Sequence, residues 1–106
     1  NASGTDYPPE VNEFEALGID PEPSEFVAPP RVAGSPAAIE CVTESTVEFD
    51  HSVVVFGRVL AFAIDERVLE GDHPEIGRLK PLARLGRNEW SEIGTILDLA
   101  RIPYDV

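Results

Sequence analysis

The run AAIECVTESTVEF, Ala37–Phe49, followed across a short polar break by SVVVFGRVLAFAID, Ser52–Asp65, decides how this chain folds. In the first run Ile39, Cys41, Thr43, Val47 and Phe49 share one side of a two-residue alternation. Glu40, Glu44, Thr46 and Glu48 take the other. Successive side chains of an extended chain point to opposite faces, so the pattern predicts a strand with one apolar and one wet face. The polar Asp50, His51 and Ser52 predict a hairpin turn. Beyond it Val53, Val55, Val59, Ala61 and Ala63 alternate with Val54, Phe56, Leu60, Phe62 and Ile64, so both faces are apolar apart from Arg58. Such a strand needs cover on both sides. A barrel interior on one face and a subunit interface on the other would supply it. Gly57, in mid-strand, weakens pairing unless it admits a bulge or a close backbone approach.

Upstream the composition changes. Residues 1–36 hold seven of the ten prolines, and residues 1–30 hold seven acids and no Lys or Arg. Each proline removes a backbone donor, which excludes a continuous helix or a central strand. The segment 1–36 therefore reads as a Pro-rich acidic loop laid over something else. The acids Asp6, Glu10, Glu13 and Glu15 lack the spacing of a hard-cation ligand set and read as a solvated face.

Downstream, Val68 and Leu69 suggest a short strand before a turn at Glu70, Gly71, Asp72, His73 and Pro74. Ile76, Leu79, Leu82 and Leu85 follow helical spacing from Glu75 to Leu85, with Pro81 limiting the helix to short pieces. Ile93, Ile96, Leu97 and Leu99 predict a second helix over Ser91–Leu99 with Ser91 as its N-cap.

At 106 residues the chain is one domain at most, able to bury roughly 65% of its unfolded surface. A net charge of −12 argues against nucleic acid and against an anionic membrane surface as partners. No apolar run reaches transmembrane length. The single Cys41 makes no internal disulfide, which fits a reducing, cytoplasmic setting, and its place on an apolar face reads as core packing. Glycine-rich nucleotide loops, CxxC, HExxH and calcium-loop patterns do not occur. His51 and His73 each sit beside an Asp and read as turn residues paired with a neighbouring acid.

The segment Gly86–Trp90 is the one concentration of ligand chemistry. If Gly86 ends one helix and Ser91 starts the next, the backbone between them is exposed. Arg84 and Arg87 bring positive charge, Asn88 both donates and accepts, and Trp90 offers a stacking surface. The set suits a planar anionic ligand. It equally describes a turn between helices with Trp90 packed into a core.

Four stretches resemble the flavin reductase-like, FMN-binding split-barrel family. They are DYPPEVNEFEALGI (Asp6–Ile19), SPAAIEC (Ser35–Cys41), FDHSVVVFGRVLAFAID (Phe49–Asp65) and RLKPLARLGRNEWSEIGTILDL (Arg78–Leu99). In the last, Pro81, Leu82, Ala83, Arg84, Leu85 and Gly86 match the family's stretch, Trp90 takes its aromatic position, and Ile93-Gly94 replaces Leu-Gly. Asn12 and Phe49 stand where the family has Asp and Gly. The resemblance implies a mainly β fold with short helices, part of an FMN-binding split barrel, in which 37–106 is the C-terminal part of the flavin-binding domain. Asn1 then aligns with the middle of such a protein. It further implies FMN as cofactor, NADH or NADPH as co-substrate, a homodimer, and a flavin reductase that can serve a partner monooxygenase. By the same resemblance Arg84, Gly86, Asn88 and Trp90 lie near the flavin. Hydride transfer between two cofactor rings needs no protein acid or base, so no catalytic residue is expected. The rival expectations are a flavoprotein holding FMN tightly for another substrate, and a non-enzymatic dimerising β module.

Overall fold

The first regular helix begins where the sequence supplies a cap. In the computed structural model, which describes residues 1–105, Asn12 Oδ1 accepts from the backbone N–H of Phe14 at 3.0 Å and opens α1 (Glu13–Leu17). Gly18 closes it in the left-handed region at φ 65°, a conformation that costs glycine no Cβ clash. Glu13 and Glu15 lie in its first turn, exposed to solvent and favourably placed against the helix dipole. The rest of the proline-rich segment forms a minimal ladder. β1 (Pro21–Glu22) and β2 (Arg31–Val32) pair antiparallel, Pro21 opposite Val32 and Glu22 opposite Arg31.

Two thirteen-residue strands dominate the chain, β3 (Ala37–Phe49) and β4 (Ser52–Ile64), joined by a turn at Asp50 and His51. They pair antiparallel from Ala37 opposite Ile64 to Phe49 opposite Ser52, as the alternation predicts. The register shifts between Glu40 and Cys41 and again between Thr43 and Ser45. Each bulge turns the following side chains relative to the ladder. Gly57 lies between these irregularities. A Cβ there would meet Cys41 Cβ at 3.1 Å and Sγ at 3.5 Å, so its lack of a side chain serves a close strand approach.

After a 3-10 turn at Glu66–Val68, β5 (Leu69–Glu70) and β6 (His73–Pro74) form a hairpin through Gly71 and Asp72. Helix α2 (Ile76–Leu79) is capped by the Glu75 carboxylate, which accepts from the N–H groups of Gly77 and Arg78 at 3.0 and 2.9 Å. It ends at Lys80, left-handed at φ 48° and followed by Pro81. The helical spacing that continues to Leu85 is not used: Ala83–Arg84 is a strand, β7. Nor does Ser91 cap a helix. Trp90–Ser91 is β8, the partner of β7, and residues 92–105 have no regular secondary structure.

Among the described residues the chain is mainly β with two short α-helices, and the strands make four separate two-stranded sheets. They divide between two compact units, Asn1–Arg67 and the residues from Val68 onward. Among the described residues Val68 is the only buried apolar side chain. On β4, by contrast, Val53, Val54, Val55, Phe56, Val59, Leu60 and Phe62 are all exposed, as the doubly apolar pattern anticipates for a strand without cover.

Candidate functional site

Arg84, Gly86, Asn88 and Trp90, the four candidate binding residues, all belong to the β7–β8 hairpin. The setting differs from the expected gap between two helices. Ala83 pairs with Ser91 and Arg84 with Trp90, so a strand ladder brings the guanidinium and the indole together. Directly opposed residues on an antiparallel pair lie close enough for their side chains to touch. Here the Arg84 guanidinium carbon stands 5.3 Å from the centroid of the Trp90 ring, within cation–π range.

The turn is held from inside. Leu85 N–H donates to Glu89 C=O at 2.9 Å, and Glu89 N–H donates to Gly86 C=O at 3.0 Å. Arg87, the first residue of the turn after Gly86, has φ 56°, a region that side chains other than glycine seldom occupy. Trp90 is 44% exposed. Arg84, Arg87 and Asn88 are exposed as well. Arg31, Arg67 and Arg78 are paired with carboxylates, whereas neither Arg84 nor Arg87 lies within ion-pair distance of one among the described residues.

A second polar cluster lies in the N-terminal unit, and the sequence analysis missed it. Glu40, expected on the wet face of β3, is the buried charged side chain, 3% exposed, while Ile39 faces out. Its Oε1 accepts from Phe26 N–H at 2.7 Å and its Oε2 from Glu25 N–H at 3.1 Å. Arg31 bridges Glu40 at 3.3 Å and Glu22 at 2.6 Å. The Phe26 and Glu25 hydrogen bonds hold the Glu40 carboxyl below its ordinary value; burial opposes them and the Arg31 charge assists. The carboxylate thus ties the loop from Ser24 to Pro30 onto β3. Beside it runs an open concavity of about 360 Å³ bordered by Arg31, Ser35, Ala38, Phe62 and Asp65. The available signal was the loop itself, whose backbone donors need an acceptor and lie next to a strand that begins with an acid among small apolar residues.

Cys41 is exposed rather than packed in a core, with its side chain against Gly57. His51 sits exposed at the tip of the β3–β4 hairpin and His73 lies in β6. Neither pairs with an acid among the described residues. Among those residues no group of His, Cys, Asp and Glu is placed to hold a metal ion, and no helix is long and apolar enough to cross a membrane.

The profile of the flavin reductase like domain matches residues 1–83. The chain belongs to the flavin reductase like family. A protein of Aquifex aeolicus is 34% identical over 85 residues, 79% of this chain and 43% of the relative. Two solved structures share the fold. Nitrilotriacetate monooxygenase component B from Bacillus cereus superposes with a TM-score of 0.85 at 25% identity, covering 92% of this chain and 51% of that one. Flavoredoxin of Desulfovibrio vulgaris (Miyazaki F) gives a TM-score of 0.78 at 28% identity, covering 93% and 54%. The chain spans about half the length of the relatives it matches. The family profile stops at Ala83, one residue before Arg84, so the hairpin candidates rest on their geometry and on the motif Pro81–Gly86.

Proposed function

We propose that this chain contributes to an FMN-binding oxidoreductase that uses NADH or NADPH, with the β7–β8 hairpin at the ligand site. The carrying observation is the pairing of Arg84 with Trp90 at the head of an exposed turn in a member of the flavin reductase like family. The residues fit such ligands chemically. Trp90 offers a stacking surface, Arg84 and Arg87 offer unpaired positive charge in a chain of net charge −12, Asn88 both donates and accepts, and Gly86 leaves room for backbone approach. Bound flavin would supply the electron-carrying chemistry, and the protein's task is to align two rings and exclude water.

In this reading residues 37–106 form the C-terminal part of a split barrel, with 1–36 laid over it as a loop segment. A homodimer covers the outward face of β4. The likeness to a monooxygenase component B favours a reductase that passes reduced flavin to a partner monooxygenase. The likeness to flavoredoxin favours a second reading, a flavoprotein that keeps its flavin and acts on another acceptor. Steady-state oxidation of NADH or NADPH with free FMN as acceptor separates them. Saturable turnover on added FMN supports the reductase, and a retained flavin reduced without exchange supports the alternative.

A further inference from the structure

Residues 20–33 close on themselves. Ala33 N–H donates to Asp20 C=O at 2.8 Å, and β1 and β2 pair directly beyond that bond. Arg31 Nε donates to Glu22 Oε1 at 2.6 Å, and Ser24 Oγ donates to Pro29 C=O at 2.6 Å. Pro21, Pro23, Pro29 and Pro30 each fix φ, which stiffens the hairpin further. Its two ends are of another kind. Gly18 and Gly34 flank it at φ 65° and 79°, and a Cβ at either would meet no atom within 4 Å. Glycine has the widest choice of backbone angles, and hinges are a few residues that absorb such changes. The side-chain hydrogen bonds from this hairpin to the rest of the described residues converge on one group. Glu25 N–H, Phe26 N–H and Arg31 Nη1 all donate to the Glu40 carboxylate, at 3.1, 2.7 and 3.3 Å.

We propose that residues 20–33 form a lid that pivots at Gly18 and Gly34 and is latched to β3 by Glu40. The concavity beside Glu40 lies between lid and sheet: Glu22, Arg31 and Val32 border it from the hairpin, and Ala38, Phe62 and Asp65 from β3, β4 and the end of β4. Three donors share one carboxylate, so neutralising that carboxylate weakens all three bonds together. The bonds inside the hairpin use other acceptors and persist, so the hairpin leaves as a unit. The charged groups that share the concavity with Glu40 are Arg31 and Glu22 from β1 and β2, Glu25 from the loop, and Asp65, which is itself paired with Arg67. Arg31 holds both Glu22 and Glu40. When Glu40 takes a proton from solvent, the guanidinium keeps Glu22 as its partner and moves with the lid. The latch is therefore closed while Glu40 is ionised and released as the pH falls through its titration. The inference is independent of the ligand the protein carries.

The test is backbone amide exchange in the full-length protein, with each rate taken against its intrinsic value at the same pH and Ala33 as the reporter for the closed hairpin. In Glu40→Gln, Glu25 and Phe26 are expected to lose protection by at least about tenfold, the scale of one hydrogen bond to a charged group, while Ala33 keeps its native protection. The native protein brought through the titration of Glu40 should show the same split, which frees the outcome from the folding of the variant. Nitroxide labels at Ala28 and Thr46, on the lid and on β3, then report the movement in a background without native cysteines. Their distance distribution should broaden in Glu40→Gln and on acidification. Full protection of Glu25 and Phe26 under both conditions removes the latch. Loss of protection at Ala33 in step with Glu25 and Phe26 shows a hairpin that unfolds in place, and an unchanged distance distribution shows one that stays docked; either result overturns the lid.

Discussion

The Arg84 guanidinium lies 5.3 Å from the centre of the Trp90 ring because the two residues are register partners across β7 and β8. An exposed cation–π pair of this kind contributes about 0.5–1 kcal/mol, enough to orient an indole but not to hold a fold together. Under the proposed function the pair would present the ring to a ligand.

Trp90→Ala is expected to weaken flavin or nicotinamide binding by about 1–3 kcal/mol, the scale of one aromatic stacking contact. Thermal stability should change little, because the side chain is nearly half exposed. Calorimetric titration together with a melting curve checks both halves. Unchanged affinity with a steep loss of stability would mean that Trp90 serves packing alone.

Glu40 sets the acid behaviour of the loop from Ser24 to Pro30. Its folded-state carboxyl titrates below the ordinary value, so its stabilising contribution is complete above that value and disappears as the pH falls through the lowered one. Asp65 is drawn further, to about 2, by hydrogen bonds from Arg67, but that arginine is 83% exposed and the pair is worth little to stability. Amide exchange of Glu25 and Phe26, corrected for its intrinsic pH dependence, should lose protection only as the pH falls below the ordinary carboxyl value. In Glu40→Gln it should already be fast at neutral pH. Equal protection in the two proteins would contradict the tether.

The sequence carried these two features unequally. The β3–β4 hairpin was legible in outline, because alternation on either side of a polar turn marks two paired strands; the end of β4 at Ile64 and the two register shifts were not. Glu40 was misplaced because alternation assumes an unbroken pleat, whereas a bulge follows it and its donors lie 14 and 15 residues away. The expected helix over Ser91–Leu99 failed for another reason. Ile93, Ile96, Leu97 and Leu99 match a period of 3.6, but Ser91 Oγ donates to Glu92 C=O instead of accepting from a helical N–H, and its backbone joins β7. Four apolar residues around Gly94 do not outweigh the cost of nucleating a helix. The candidate residues were found by type; the hairpin that unites them was not.

Gly57→Ala should destabilise the β3–β4 hairpin by about 1–3 kcal/mol, since the added methyl group meets Cys41 Cβ at 3.1 Å. Cys41→Ala should not relieve the clash, because the offending Cβ remains, whereas Cys41→Gly should. Chemical denaturation of the two double variants distinguishes the outcomes, and rescue by Cys41→Ala would place the conflict at the sulfur instead.

Phe56→Asp and Val55→Asp, on opposite faces of β4, should differ in kind. Each large apolar side chain left in water forfeits roughly 1.5–3 kcal/mol, so both faces need cover in the assembled protein. Sedimentation of the full-length protein should give a homodimer at low micromolar concentration. One substitution should yield folded monomer with weakened flavin binding, and the other should unfold the protein. A native protein that sediments as a monomer with full flavin affinity would exclude the dimeric arrangement.

The central claim, that this member of the flavin reductase like family works through FMN, is tested most directly by titrating purified full-length protein with FMN and following flavin absorbance and emission. The account predicts a saturable, stoichiometric complex with quenched flavin emission and a flavin absorbance band shifted on binding. A full-length protein that remains colourless, and leaves flavin emission unquenched at high FMN, would contradict it.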